Sequence, residues 1–348
     1  MTPEELKSRA ADGLLSELDL RGCDLSGIDL SDVVLDCVFL SGAKLKGATF
    51  RGATLSRCDL AEADLTDGNW ENAAFHNCQL YGAHFGACVL AGTSFIQCQL
   101  GNADFRGAKL PGAAFVNSDL SGATFVGADL SKADIIDCEV RSIDLSGINL
   151  ERVTLMNADL TSAVLTGAVF DTTILMNSML AGCDLKGMHF AKSQLMGADL
   201  SGCNLSGANL TGCNFKDANL TNAKLDGAVA NNTLFVGAVL VNAKLNGAQL
   251  KQAIFIEAKA TGADFSGVKV QESVFQRAQC DGALFGGADL TYADFSHADV
   301  RGADFTRATL FRTKLHQTRL LGARIDTKLA LGDDPDLVEA ERWTPPAR

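Results

Sequence analysis

Eleven cysteines, five histidines and 42 acidic residues are the groups in this 348-residue chain that could do chemistry, and their spacing decides whether they can. A structural zinc site gathers its thiolates through a C-x-x-C knuckle, and the chain contains none. Nine cysteines (Cys23, Cys58, Cys78, Cys88, Cys98, Cys138, Cys183, Cys203 and Cys213) instead stand at positions that differ by multiples of five. His76, His84, His189, His297 and His316 are scattered, and there is no P-loop, dinucleotide glycine fingerprint or G-x-S-x-G elbow. These patterns predict no enzyme: no catalytic residue, no cofactor and no metal. The cysteines are expected to pack in the core where alanine otherwise stands, reduced in a cytoplasmic protein. The ladder Cys58, Cys78, Cys98 comes within disulfide reach, but parallel side chains argue against bridging.

The spacing of five belongs to the whole chain. From Leu20 to Ile325 every fifth residue makes 62 positions, of which 59 are Leu, Phe, Ile, Val or Trp; Ala230, Ala260 and Cys280 are the exceptions. Two places before each such centre Ala occurs 34 times, the place just before is often Asp or Asn, and the second place after holds 28 of the 34 glycines. A helix returns its apolar face at three and four residues and a strand alternates by two, so neither template carries this pattern. What remains is a solenoid, whose short repeats bury their apolar faces by stacking on one another. Such a body has no long loop in which to build a cleft.

The motif A-(D/N)-(L/F)-x-G, as in Ala198-Asp199-Leu200-Ser201-Gly202, resembles the pentapeptide-repeat family over about nine tenths of the chain. The resemblance implies an all-β solenoid, a right-handed quadrilateral β-helix in which each pentapeptide is one side and four make a coil. Rarer residues recur at twenty in agreement with four sides: Met156, Met176 and Met196, and the three cysteines above. About fifteen coils at about 4.8 Å would make a rod on the order of 75 Å long. Phe centres fall into columns, Phe215 to Phe295 facing Phe265 to Phe305, while the other two sides carry Ala230, Ala260, Cys280 and Val300 and so leave room for the rings.

Three segments follow: an N-terminal helical cap over 1–14, a β-helix over 15–326, and a capping helix and tail over 327–348. Thr2-Pro3-Glu4-Glu5 has helix-start chemistry, with Leu6, Ala10, Leu14 and Leu15 as its apolar stripe. Asp334-Pro335-Asp336 opens the second cap, with Leu337, Val338 and Trp343 available to shield the last coil. These two ends also resemble pentapeptide modules that accompany bacterial type VI secretion components, which implies an adaptor role.

No stretch approaches the roughly twenty apolar residues of a membrane span, and the charged start lacks a signal-peptide core, so no membrane insertion and a cytoplasmic location are expected. The net charge of −12 argues against direct nucleic-acid binding. It raises instead the alternative of an acidic DNA mimic acting on a topoisomerase, which the resemblance to gyrase-protecting pentapeptide proteins also implies. Asp24, Asp64, Asp104, Asp144 and Asp184 form one column and Asp59, Asp119, Glu139, Asp159 and Asp199 another, interrupted by lysines such as Lys44, Lys224 and Lys244.

One side in four departs from the code. Its places after the centre read Ile96, Val116, Ile136, Met156, Met176 and Met196, then Lys216, then Val236 and Ile256, where other sides carry Ser, Thr, Lys or Asp. The place before the centre adds Ile174, Leu234, Ile254 and Val274. A stripe of this length exceeds what a monomer normally exposes. It predicts an interaction scaffold or adaptor that docks another protein, or a second copy, along that side. At its edge Asn77, Gln97, Asn117, Asp137, Asn157 and Asn177 replace Gly as a candidate amide ladder.

Overall fold

A centre every five residues is buried throughout only if the chain turns a corner between successive centres. In the computed structural model, which describes residues 3–11, 13–326 and 336–337, it does so at every repeat. The corner falls two places after each centre, where the backbone adopts a positive φ at every described position but Ser162, as at Gly22 (64°) and Asn77 (52°). This conformation is open to Gly and tolerated by Asn and Asp, which explains both the glycine period and its substitutes. Contacts group the chain into two units, Met1–Leu180 and Ala181–Arg348.

The first unit opens with helix α1 (Pro3–Ala10), whose first turn holds Glu4 and Glu5 and whose last turn holds Lys7 and Arg9, each opposing the local end of the helix dipole. Leu6 is its buried residue, and the helix packs against strand β1 (Leu14–Ser16). Seven further strands follow at intervals of twenty: β2 (Val34–Asp36), β3 (Thr54–Ser56), β4 (Ala74–His76), β5 (Ser94–Ile96), β6 (Ala114–Val116), β7 (Asp134–Ile136) and β8 (Thr154–Met156). They form one parallel sheet in chain order, in register centre on centre from Leu15↔Leu35 to Ile135↔Leu155. The other three sides pair through single residues, as in Asp19↔Phe39, Asp24↔Lys44 and Asp29↔Thr49. Four pairings per twenty residues give the four sides expected.

The second unit keeps the same spacing without three-residue strands among its described residues. Asp184↔Asn204, His189↔Asn209, Gln194↔Asn214 and Asp199↔Asn219 pair one coil, and the series runs to Asp304↔Arg324. The fold class is therefore the β-helix expected. Counted by extended strands, however, the coils number eight, not about fifteen; the rest of the array is held by isolated bridges. The second cap lies outside the described residues except for Asp336 and Leu337, which are helical.

The strands owe their length to an unusual corner, and the cysteine ladder builds it. In the second unit the small residue after the corner donates its N–H directly to the preceding centre, as from Ala198 to Leu195 (3.1 Å). After β2, β3 and β4 the thiol of the next coil takes the place of that bond. Cys98 donates to the Phe75 carbonyl at 3.4 Å. Cys78 donates likewise to Leu55 at 3.4 Å and Cys58 to Leu35 at 3.5 Å. After β5 a hydroxyl serves: the Cys98 N–H donates to Ser118 Oγ at 3.0 Å and Ser118 donates to Phe95 at 3.2 Å. Of the nine cysteines expected in the core seven are buried, whereas Cys23 and Cys183 are half-buried, and in the ladder they are more than substitutes for alanine. Burial raises the Cys138 thiol to about 11 and that of Cys88 to about 12, so both are neutral and unreactive.

Cys98→Ala strands the buried Phe75 carbonyl, or forces the corner to close. We expect it to cost about 1–3 kcal/mol in chemical denaturation, with Cys98→Ser retaining most of the stability because a hydroxyl can donate to the same carbonyl. Equal losses in the two variants would show that packing, not the hydrogen bonds, matters at this corner.

Inside, the phenylalanines stack. In the second unit Phe235, Phe255, Phe275 and Phe295 lie 4.5–4.8 Å apart and nearly parallel, and meet Phe265, Phe285 and Phe305 edge-on. The first unit builds a similar ladder from Phe75 to Phe125 with Leu90, Leu100, Leu110 and Leu120, all buried, on the other two sides. Small centres are therefore not a requirement for facing ring columns, contrary to the expectation drawn from Ala230 and Ala260.

Candidate functional site

The apolar side of the sequence is the side that carries the strands. Ile96, Val116, Ile136 and Met156 end β5 to β8 and are Cα partners in succession. Ile174 pairs with Thr154, and Met176 follows one coil above Met156. All six are half-buried. Parallel register is the cause: each side chain lies against its neighbours one coil below and above, about 4.8 Å away, and shows solvent only its outer edge. The surface is therefore a continuous low ridge and not a row of projecting groups.

In the second unit Leu234, Ile254 and Val274 are successive bridge partners, with Val236 and Ile256 two residues beyond the first two. These five are half-buried too, as is Met196, which the coil of exposed Lys216 separates from Val236. The sequence thus brings the candidates together as six in one unit and five plus one in the other.

Column reading missed the more exposed apolar groups. Met179 is 45% exposed and lies three residues beyond Met176 on the adjacent side; Val164, also 45% exposed, and Phe39 stand alone on theirs. A lone apolar residue in a polar column gives no periodic signal. The edge amides are turn residues, with positive φ at Asn77, Gln97, Asn117, Asp137, Asn157 and Asn177. One link of the anticipated ladder is made, Asn157 Nδ2 to Asp137 Oδ1 at 2.6 Å.

The acids are largely accounted for by local bonding. Asp before a centre accepts the backbone N–H two residues on, as in Ser26 to Asp24 (3.1 Å) and Ser31 to Asp29 (3.0 Å), and Asn does the same at Asn209 and Asn219. This side-chain turn explains why both residues recur there. Arg21 donates to Asp19 at 2.9 and 2.6 Å and holds its carboxyl down at about 2. The hydroxyls of Ser26 and Ser31 lower Asp24 and Asp29. One column reads Asp24, Lys44, Asp64, His84, Asp104, Thr124, Asp144, so acids alternate with cationic or neutral groups, and Asp104 is paired with Arg106 at 2.6 Å.

Carboxylates whose folded pKa lies below the unfolded value add stability that is fully present above the unfolded value and lost as pH falls through the folded one. Thermal stability should therefore decline below about pH 4, the ordinary carboxylate range, and continue to fall toward pH 2, where Asp19 titrates. Melting curves across pH 2–7 check this. A melting temperature that rises below pH 4 would contradict it.

Among the described residues no group of three or more His, Cys, Asp or Glu could hold a metal ion, and all eleven cysteines are thiols. No helix among them is long and apolar enough to cross a membrane.

No curated protein sequence matches the chain. Among solved structures it is similar to full-length QnrB1, a plasmid-mediated fluoroquinolone resistance protein, at 22% identity over 58% of this chain and 92% of that one, with a TM-score of 0.44. It is also similar to HetL of the cyanobacterium Nostoc, a pentapeptide repeat protein involved in heterocyst differentiation regulation (23% identity, 88% and 97% covered, TM-score 0.20). A third is Rfr23, a pentapeptide repeat protein of the cyanobacterium Cyanothece (24% identity, 32% and 64% covered, TM-score 0.20). The sequence model for Pentapeptide repeats matches residues 14–52, 53–92, 83–122, 98–137, 113–152, 136–175, 154–190, 193–229, 233–271, 271–307 and 288–325. With nearly every coil matched in this way, the chain belongs to the pentapeptide-repeat family.

Proposed function

We propose that the chain is a non-enzymatic scaffold that binds a protein, a second copy of itself included, along its apolar side. The observation that carries this reading is the ridge Ile96, Val116, Ile136, Met156 and Met176, because apolar groups stand at outward places that other sides give to polar residues. Thioether side chains adapt to varied partner shapes, and a partner covering several coils could reach the area of a standard interface, on the order of 800 Å² per side. The adaptor role implied by the two ends, and a cytoplasmic location consistent with cysteines that are thiols, belong to the same reading.

The pair Ile136→Lys and Met176→Glu tests it. Both positions are half-exposed, so the fold should survive, with circular dichroism unchanged. Association measured by light scattering and by pull-down from the native host should be lost. Unchanged association by both measures rules the ridge out as the interface.

A second reading, the acidic DNA mimic, is supported by the net charge of −12 and by Asp64, Asp104 and Asp144 on alternate coils of one column. It requires that the purified protein alter gyrase supercoiling and that reversal of Asp104 and Asp144 abolish the effect.

A further inference from the structure

The last coil of the second unit reverses the charge of the chain. From Phe305 to Ile325 there is no carboxylate, while five Lys and Arg fall there, in a protein of net charge −12. Pairing sets this coil on a ring of acids, one per side: Asp294↔Lys314, Asp299↔Arg319 and Asp304↔Arg324, with Asp289↔Thr309 completing the turn. On the side that follows the apolar one, the meeting of cations and acids is also concave. A groove of about 600 Å³ opens there across three successive coils, lined by Arg277 from the first, Arg301 from the second and Arg319 from the third.

Asp299 holds two of the three arginines in place. Arg301 donates to it from Nε at 2.8 Å and from Nη2 at 2.7 Å, and Arg319 approaches the same carboxylate at 3.7 Å from the next coil. The acid is 16% exposed, whereas the two arginine side chains are 52% and 71% exposed. A guanidinium carries five N–H donors, so both groups are positioned by Asp299 with donors left over on their exposed edges. Arg277 lies 3.6 Å from Glu257, an exposed pair of little strength. The other acid of the lining, Asp281, accepts a hydrogen bond from Thr261 Oγ1 at 2.8 Å. With His297 counted as neutral, the lining therefore holds three cations against two carboxylates. Two smaller cavities are balanced, Lys7 against Asp29 in one and Lys132 and Arg152 against Asp129 and Glu151 in the other. A concave site with excess positive charge, made of guanidinium groups already positioned, is suited to recognise an anion.

The placement of the cations selects the anion. A carboxylate is planar, and one guanidinium fork satisfies it. Three guanidinium groups from coils that rise about 10 Å between first and third match a tetrahedral anion better, because each can take a different oxygen. We infer that the groove binds a phosphate group, as the inorganic dianion or as a small phosphate monoester. No residue of the apolar ridge lines the groove, so either site can fail without the other.

Calorimetric titration of the full chain at low ionic strength tests it. Inorganic phosphate should bind saturably with a Kd on the order of 1 mM or below. Glycerol 3-phosphate separates the two sources: tighter binding than inorganic phosphate makes the monoester the ligand, equal or weaker binding makes it the free ion, and either order supports the site. Arg277→Gln/Arg319→Gln changes two exposed positions, so circular dichroism should be unchanged while phosphate affinity falls at least about tenfold. Lys132→Gln/Arg152→Gln, in the balanced cavity, should leave the affinity as it was. Absence of saturable phosphate binding overturns the inference, as does acetate binding equally tightly at the same ionic strength. Binding that survives the first double variant, or that falls equally in both, also overturns it, since the ion would then respond to overall charge and not to the groove.

Discussion

Replacing Phe105 with alanine should lower the stability of the first unit by about 3–5 kcal/mol, the largest loss expected from any single substitution in the array. Phe105 is fully buried between Phe85 at 4.8 Å and Phe125 at 4.7 Å, both nearly parallel to it, and meets Phe95 and Phe115 edge-on at 6.1 and 5.7 Å. Truncation removes four ring contacts and opens a cavity at the meeting of two stacks. The neighbouring coils cannot close over it, because their spacing is held by backbone pairing on all four sides. Phe105→Leu should cost only about 1.5 kcal/mol or less, since Leu is the alternative centre elsewhere in the array. Denaturant titration measures both. In a repeat protein energetic coupling runs mainly between neighbours, so hydrogen exchange should quicken around Leu100 and Leu110 and stay unchanged around Phe265 to Phe305. Uniform quickening across both regions would mean that the stacks are not local units.

Gly68→Ala should cost about 1–3 kcal/mol, although alanine is the commonest residue at the equivalent place in the other repeats. The reason is Trp70. Its indole stacks on Phe50 at 4.2 Å and fills the space that an alanine methyl takes elsewhere. A Cβ on Gly68 would lie 2.6 Å from Trp70 Nε1 and 2.8 Å from the Leu65 carbonyl oxygen, the second a backbone atom with little freedom to move. The same indole N–H is buried without a hydrogen-bond partner, a burden of about 1–3 kcal/mol. Trp70→Phe removes the N–H along with part of the stacked area, so its net effect should be small. In the double variant the alanine should cost less than in the parent, with a coupling of at least about 0.5 kcal/mol. Strict additivity would show that Trp70 is not what keeps Gly68 a glycine.

Much of this was legible in the sequence because a strict period is itself a structural statement. An apolar residue every fifth place, with Gly, Asn or Asp two places on, leaves a solenoid as the way to bury each centre, and the family resemblance with residues recurring at twenty implies its four sides. The buried set from Leu20 to Leu315 follows the period without a break. The same ruler singled out Ile96 to Met176 by their departure from it. It could not find Met179 or Phe39, which depart singly.

What the period determined, then, was the fold class, the inward set and the side on which to look for a partner. Only the tertiary structure decided that Cys78 and Cys98 replace a turn hydrogen bond, that Trp70 requires Gly68, and that the ridge is half-buried. It also set the last cationic coil against a ring of acids. Apart from the contact of Trp70 with Gly68, which is local, these depend on atoms from coils about twenty residues apart meeting at hydrogen-bond or van der Waals distance. A period states which positions recur, and it does not state which particular side chains then touch.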